Sequence, residues 1–141
     1  NYFESQTRRY LANVYLETGR TNDAELQYKL DIKLAAQPLP YSYQKLLNIY
    51  NKKKDTTKYK NTVTEYFKTC GKEDPAAIIY YMENLKDKND KQEKINNINI
   101  VKNWMQSNTN LINGIKSNAK WWNTWTNITI SCGISPVTRK K

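Results

Sequence analysis

The pentapeptide Leu11-Ala12-Asn13-Val14-Tyr15 returns 35 positions later as Leu46-Leu47-Asn48-Ile49-Tyr50, changed only conservatively. A recurrence at that period is the signature of stacked helical hairpins. Such units are too small to bury their own apolar faces and therefore pack on one another. The expectation is an all-α chain: a right-handed α-solenoid of about three helix-turn-helix repeats. Composition points the same way. Four Gly and four Pro in 141 residues are too few for the many tight turns of an all-β fold. Eleven Tyr and four Trp supply much of the area a core needs.

The apolar spacing places the elements. Tyr10 with Val14, and Leu11 with Tyr15, form adjacent rows of a first helix over about residues 2–17, stopped by Gly19. Asn22 or Thr21 can cap a second helix over about 23–36, ended by Pro38 and Pro40. The second hairpin runs over about 41–53 and 57–70, with Asp55 or Thr56 as cap and Gly71 as stop. The third opens at Asp74-Pro75, turns in the polar stretch Lys86 to Asp90, and closes with a helix over about 91–106. Units of about 5–38, 39–74 and 75–107 result, so residues 1–107 read as the repeat array. Residues 108–134 read as a capping segment. In it, a helix over about 110–125 carries Leu111, Ile112, Ile115, Ala119 and Trp122, and is weakened by Gly114. Thr126 to Cys132 alternates polar and apolar residues and reads as extended. Residues 135–141 read as a basic tail.

Several functions are disfavoured at once. The chain has no His, which removes His-based acid–base chemistry, His metal ligation and a Ser-His-Asp site. Cys70 and Cys132 are too few for a disulfide framework or a four-cysteine zinc site. They admit one bridge or two unpaired thiols, and the thiols are favoured. No Gly-rich phosphate loop or acid–base pair stands out, so no enzyme, metal or cofactor is expected. No apolar run is long enough to span a membrane. No secretory signal is visible, and an intracellular setting is favoured, although a chain that begins at Asn1 makes the missing signal weak evidence. Asn127-Ile128-Thr129 fits the glycosylation acceptor pattern, which is frequent by chance in an Asn-rich chain.

The net charge of +10 is unevenly spread. Residues 1–38 hold five basic and five acidic side chains, and residues 39–74 hold eight and four. Residues 108–141 hold five basic side chains and no acidic one. Such fields attract acidic proteins, nucleic acid or anionic lipid. The same lysines can also serve solubility alone.

On these residues the chain resembles the tetratricopeptide repeat over about residues 5–106. Leu11, Ala12, Asn13, Tyr15, Gly19, Ala24 and Tyr28 match in the first unit, and Tyr43, Leu46, Asn48 and Tyr50 in the second. Leu47 stands at a small-residue position, Lys54 replaces the Gly and Tyr59 replaces the Ala. The third unit keeps only the apolar spacing, with Ala76, Ile79 and Glu83 at its groove positions. The resemblance implies a protein–protein interaction scaffold, a subunit of a larger assembly, whose first helices line a concave groove. Carried over, the groove residues are Arg9, Asn13, Tyr41, Gln44, Lys45, Asn48 and Lys52. Asn13 and Asn48 would bond an extended peptide's backbone, and Arg9, Lys45 and Lys52 an acidic group. The competing role for both Asn residues is to bridge neighbouring helices. Pro38 to Tyr43 with Leu46-Leu47 also resembles the pentatricopeptide repeat, which implies single-stranded RNA as the alternative partner in a ribonucleoprotein complex.

Two surfaces lie outside the groove. Lys53, Lys54, Lys58 and Lys60 could track a phosphate backbone or an acidic protein, or be a solvated turn. Trp121, Trp122 and Trp125, interleaved with Lys116 and Lys120, could stack bases or fill a packing interface, the second being favoured.

Overall fold

In the computed structural model the described residues are 2–37, 39–71, 73–85, 90–109, 112–113 and 117–136. Pro38, Leu111, Gly114, Ile115, Lys116, the expected turn at 86–89 and the expected tail from 137 lie outside them. The described residues are all-helical, with no strand. The helices whose limits fall among the described residues are, in order, α1 Tyr2–Glu17, α2 Thr21–Leu34, α3 Pro40–Lys53, α4 Thr56–Cys70, α5 Pro75–Leu85, α6 Lys91–Ser107 and α7 Ala119–Ser131. They fall into two compact units, Asn1–Cys70 and Gly71–Lys141.

In the first unit α1 packs on α2, α2 on α3, and α3 on α4. The 35-residue recurrence reappears as backbone geometry. α1 ends in a Schellman turn in which Gly19 (φ 80°) donates its N–H to Leu16 O at 3.2 Å and Arg20 donates to Tyr15 O at 2.7 Å. α3 ends in the same turn 35 residues on. Lys54 (φ 56°) donates to Asn51 O at 3.2 Å and Asp55 to Tyr50 O at 3.0 Å. Lys54 is therefore a side-chain-bearing residue in the left-handed region. A Cβ at Gly19 would meet nothing within 4 Å, so the cost of a side chain in this turn is conformational rather than steric crowding. Lys54→Gly is expected to stabilise the chain by about 0.5–1 kcal/mol, the left-handed strain relieved less the added backbone entropy. A urea titration of the full chain checks this.

The turn between α1 and α2 is so short that Thr21 and Asn22 already lie inside α2. The N-cap position is Arg20, which makes no side-chain cap bond. Pro40 does not terminate α2 but opens α3, where its fixed φ and missing N–H cost nothing. α2 has already ended at Leu34, with Ala35 extended (ψ 139°). Asp55 caps α4 by accepting from Lys58 N–H at 3.1 Å, and Asp74 caps α5 by accepting from Ala76 N–H at 3.1 Å.

The core of this unit joins Ala12, Ala24, Tyr28, Leu46, Ile49 and Tyr50, with Tyr15, Leu16, Ile32 and Tyr59 against it. The two copies of the repeat are not equally covered. Leu46 is 3% exposed, whereas Leu11 is 36% and Tyr10 73% exposed, so the expected Tyr10 row is not a core row. α3 packs between α2 and α4, while α1 packs chiefly on α2. Each large side chain taken fully out of water is worth about 1.5–3 kcal/mol, which makes α3 the better anchored of the two.

In the second unit α5 packs on α6 and on α7. Ile78, Met82, Leu85, Ile98, Met105, Trp121 and Trp125 are almost wholly buried. The indole N–H of Trp104 donates to Gly71 O at 2.6 Å, and that of Trp125 to Pro136 O at 2.8 Å. The last helix corrects the sequence reading. Residues 112–113 are helical, but the expected helix over 110–125 is interrupted at Ser117 and Asn118; the last helix starts at Ala119, behind Asn118, whose side chain accepts from Trp121 N–H at 3.1 Å. It also runs through the segment expected to be extended. Trp121, Trp125 and Ile128 sit at i, i+4 and i+7 and define the buried row. The Thr126 and Thr129 hydroxyls, which would otherwise favour extended backbone, donate to Trp122 O (2.6 Å) and Trp125 O (2.9 Å) one turn back.

Candidate binding groove on the first and third helices

The polar centre of the first unit is Asp31, which is 1% exposed. It lies at i+7 from Ala24 and i+3 from Tyr28, on the buried row of α2. A buried carboxylate needs partners, and four side chains supply them. Arg9 Nε donates at 2.8 Å and Ser42 Oγ at 2.5 Å; Ser5 Oγ also donates, and Arg8 Nη2 lies 3.9 Å away. α1, α2 and α3 thus meet on one charge. Burial alone would raise this carboxyl. The hydrogen bonds from Ser42, Ser5 and Arg9, with the Arg9 charge, outweigh burial and hold it below its ordinary range.

Asn13 is the second meeting point. It accepts from the Tyr28 hydroxyl of α2 and donates its Nδ2 to the Tyr41 hydroxyl of α3 at 2.8 Å. Burial, with the Tyr41 hydroxyl nearby, pushes Tyr28 up to about 12, so it remains a neutral donor at every physiological pH. Asn13 therefore bridges helices, the second of the two roles open to it. Its amide is engaged by the chain's own tyrosines.

The seven groove residues divide into three groups. Arg9, Asn13 and Tyr41 line a cleft of about 360 Å³ with Gln6 and Tyr10. Lys45, Asn48 and Lys52 line a second, of about 320 Å³, with Leu16, Thr21, Ile49 and Lys53. The Lys45 ammonium lies 5.5 Å from the centre of the Tyr41 ring, so the two clefts abut. Gln44 belongs to neither, because its Nε2 donates to the Tyr66 hydroxyl on α4 at 2.9 Å. Together the clefts follow one stripe of α1 (residues 6, 9, 10, 13, 16) and one of α3 (41, 45, 48, 49, 52). No acidic side chain lines either cleft among the described residues. A third cleft, of about 470 Å³, lies across α2, α3 and α4, over Tyr43, Leu46 and Tyr50, with Lys29 and Glu65 in its wall.

The lysines proposed from the charge run have varied settings. Lys53 donates to Asn22 Oδ1 at 2.6 Å and lies 3.5 Å from Glu25 Oε1. Lys58 is 4.0 Å from Asp55 and also lies over the Tyr50 ring, 5.8 Å from its centre. Lys54 closes the α3 turn, and Lys60 is exposed. The three tryptophans do not form a surface. Trp121 and Trp125 stack on each other with centroids 6.0 Å apart inside the second unit, and only Trp122 reaches partway to solvent. Their i, i+4 spacing on a helix with Ile128 is the physical reason. In the acceptor triplet, Asn127 is exposed but Thr129 is fully buried.

Sequence reasoning missed Ser5, Asp31 and Ser42 at the polar centre, and Leu16 and Thr21 in the second cleft. A signal existed for Asp31, since it falls on the Ala24–Tyr28 row where an apolar residue belongs. Among the described residues no three His, Cys, Asp or Glu side chains gather as metal ligands, and no helix is long and apolar enough to cross a membrane. No protein-family model matches the chain, and neither a curated protein nor a solved structure matches it.

Proposed function

We propose that this chain is a non-catalytic interaction scaffold, and that the α1/α3 stripe takes an extended, acidic segment of a protein partner. The carrying observation is the second cleft: Lys45, Asn48 and Lys52 open onto one space that no carboxylate lines. Asn48 and Lys52 have no side-chain partner among the described residues, so their hydrogen-bonding capacity is available. From Tyr41 to Lys52 the stripe is roughly 16 Å long at the helical rise, enough for about five extended residues. In this reading α1–α4 are two tetratricopeptide-like hairpins. The twin turns at Gly19 and Lys54 and the buried Ala24 support that kinship, as do the Leu and Tyr of the repeated pentapeptides. The wider array, right-handed and continued by a third hairpin, belongs to the same proposal. The functional amide is Asn48 rather than Asn13.

Fluorescence anisotropy with a labelled peptide of Asp, Glu and Gly tests it. Asn48→Ala combined with Lys45→Ala is expected to weaken binding by about 1–3 kcal/mol, while Lys60→Ala, outside the clefts, leaves it unchanged. Equal loss for the combined variant and for Lys60→Ala would reduce the attraction to general charge. Tighter binding of single-stranded RNA than of the peptide, with a steep loss on adding salt, would replace the peptide reading by the ribonucleoprotein one. The burial of Trp121 and Trp125 favours the peptide, because it removes the base-stacking platform.

A further inference from the structure

The cleft between the α1–α2 turn and α3 differs from its neighbour in the kind of cation it presents. Its three cations are Lys45, Lys52 and Lys53, and no guanidinium lines it. The Arg fork grips carboxylate and phosphate alike, whereas the ammonium of Lys is a compact point charge whose rotatable donors can each reach a separate oxygen of one multiply charged anion. Lys53 is already partly neutralised, by its bond to Asn22 and by Glu25 at 3.5 Å. Lys52 has no partner among the described residues, and the Lys45 ammonium rests over the Tyr41 ring. Two ammonium groups are thus left without a carboxylate. A carboxylate would neutralise one of them. A phosphomonoester carries about −1.5 to −2 charges at neutral pH, with three acceptor oxygens, and would match both. The Asn48 amide and the Thr21 hydroxyl line the same space and can donate to the remaining oxygens. Leu16 and Ile49 give it an apolar wall for the carbon stem of the modified side chain.

We propose that this cleft is a phosphate pocket, and that the segment bound along α1 and α3 is recognised through a phosphorylated Ser or Thr seated among Lys45, Asn48 and Lys52. The inference rests on the groove reading above and narrows it. The pocket makes binding switchable: a kinase acting on the partner turns the contact on, and a phosphatase turns it off.

The test uses the full chain and three labelled peptides of Asp, Glu and Gly. One has a central Ser, one the same Ser phosphorylated, and one the unmodified Ser plus extra Asp to match the phosphopeptide's net charge. Anisotropy at fixed salt is expected to give about tenfold tighter binding of the phosphopeptide than of either other peptide, as two new charge-assisted contacts would provide. Lys52→Gln and Lys45→Gln should each remove most of that preference, while Lys60→Gln keeps it. Circular dichroism establishes that the variants are folded. Equal affinity for the phosphorylated and charge-matched peptides overturns the pocket and leaves the groove reading standing. A phosphate preference that survives both substitutions overturns the pocket's location. Failure of all three peptides to bind overturns the pocket and the groove together.

Discussion

Replacing Asp31 by Ala is expected to destabilise the chain by about 3–5 kcal/mol, the cost of removing one partner of a buried ion pair. The reason lies in what remains. Arg9 keeps its charge at 18% side-chain exposure, and the Ser5 and Ser42 hydroxyls lose their acceptor. A domain of this size has about 5–15 kcal/mol to lose, so this single change takes a large share. Asp31→Leu combined with Arg9→Met should recover part of the loss, because an apolar pair of similar volume leaves no orphan charge. Urea unfolding of the single and double variants measures both. A loss below about 1 kcal/mol for Asp31→Ala would mean that the network contributes little more than an exposed pair does.

The same residue sets a pH dependence of known sign. Its carboxyl is lowered from 3.8 in the folded chain, because the hydrogen bonds and the Arg9 charge outweigh the opposing effect of burial. Its stabilisation is therefore complete above the ordinary carboxylate range and drains away as pH falls through the folded-state value. Unfolding midpoints measured from pH 7 downward should fall more steeply below about pH 4 in the native chain than in Asp31→Asn.

Trp125→Ala is the second large effect, about 3–5 kcal/mol, confined to the second unit. Trp125 is fully buried, stacks on Trp121 and donates to Pro136 O. Trp122, partly exposed beside it, should lose less than Trp125 when replaced by Ala. The two buried indoles also differ. Trp121 Nε1 is buried without a hydrogen-bond partner among the described residues, whereas Trp125 Nε1 has one. Trp125→Phe should therefore cost about 1 kcal/mol more than Trp121→Phe. Chemical denaturation of the four variants gives the order, and a costlier Trp122→Ala than Trp125→Ala would contradict the packing described above.

How legible all this was depends on where the decisive contact lay. α3 to α6 follow from apolar rows and from local caps such as Asp55 and Asp74, which are properties of a few neighbouring residues; the limits of α1 were legible too, but its Tyr10 row faces solvent. α7 was misread because Ile128 and Ile130 alternate with Thr and Ser. That pattern has the period of a strand, and it prevailed over the Trp121–Trp125–Ile128 row that the protein uses. In the groove, the grouping of Lys45, Asn48 and Lys52 was expected from the tetratricopeptide resemblance. The engagement of Asn13 was not, because its partners, Tyr28 and Tyr41, arrive from two other helices. Asp31 was passed over for the same reason: Arg9 and Ser42 lie 22 and 11 residues away.

The paired turns at Gly19 and Lys54 carry a consequence for the phase of the helices. A Schellman turn fixes how far one helix is rotated about its axis relative to the next. One residue inserted between Glu17 and Thr21 would turn α2 by about 100°. Asp31 would then swing off the α1 interface, and Asn13 would lose the Tyr28 hydroxyl. The lengths of these short connections are thus part of what builds the proposed binding surface. They set the angular register in which α1 and α3 present one stripe, and a chain with the same helices joined by longer turns would fold its lysines toward different neighbours.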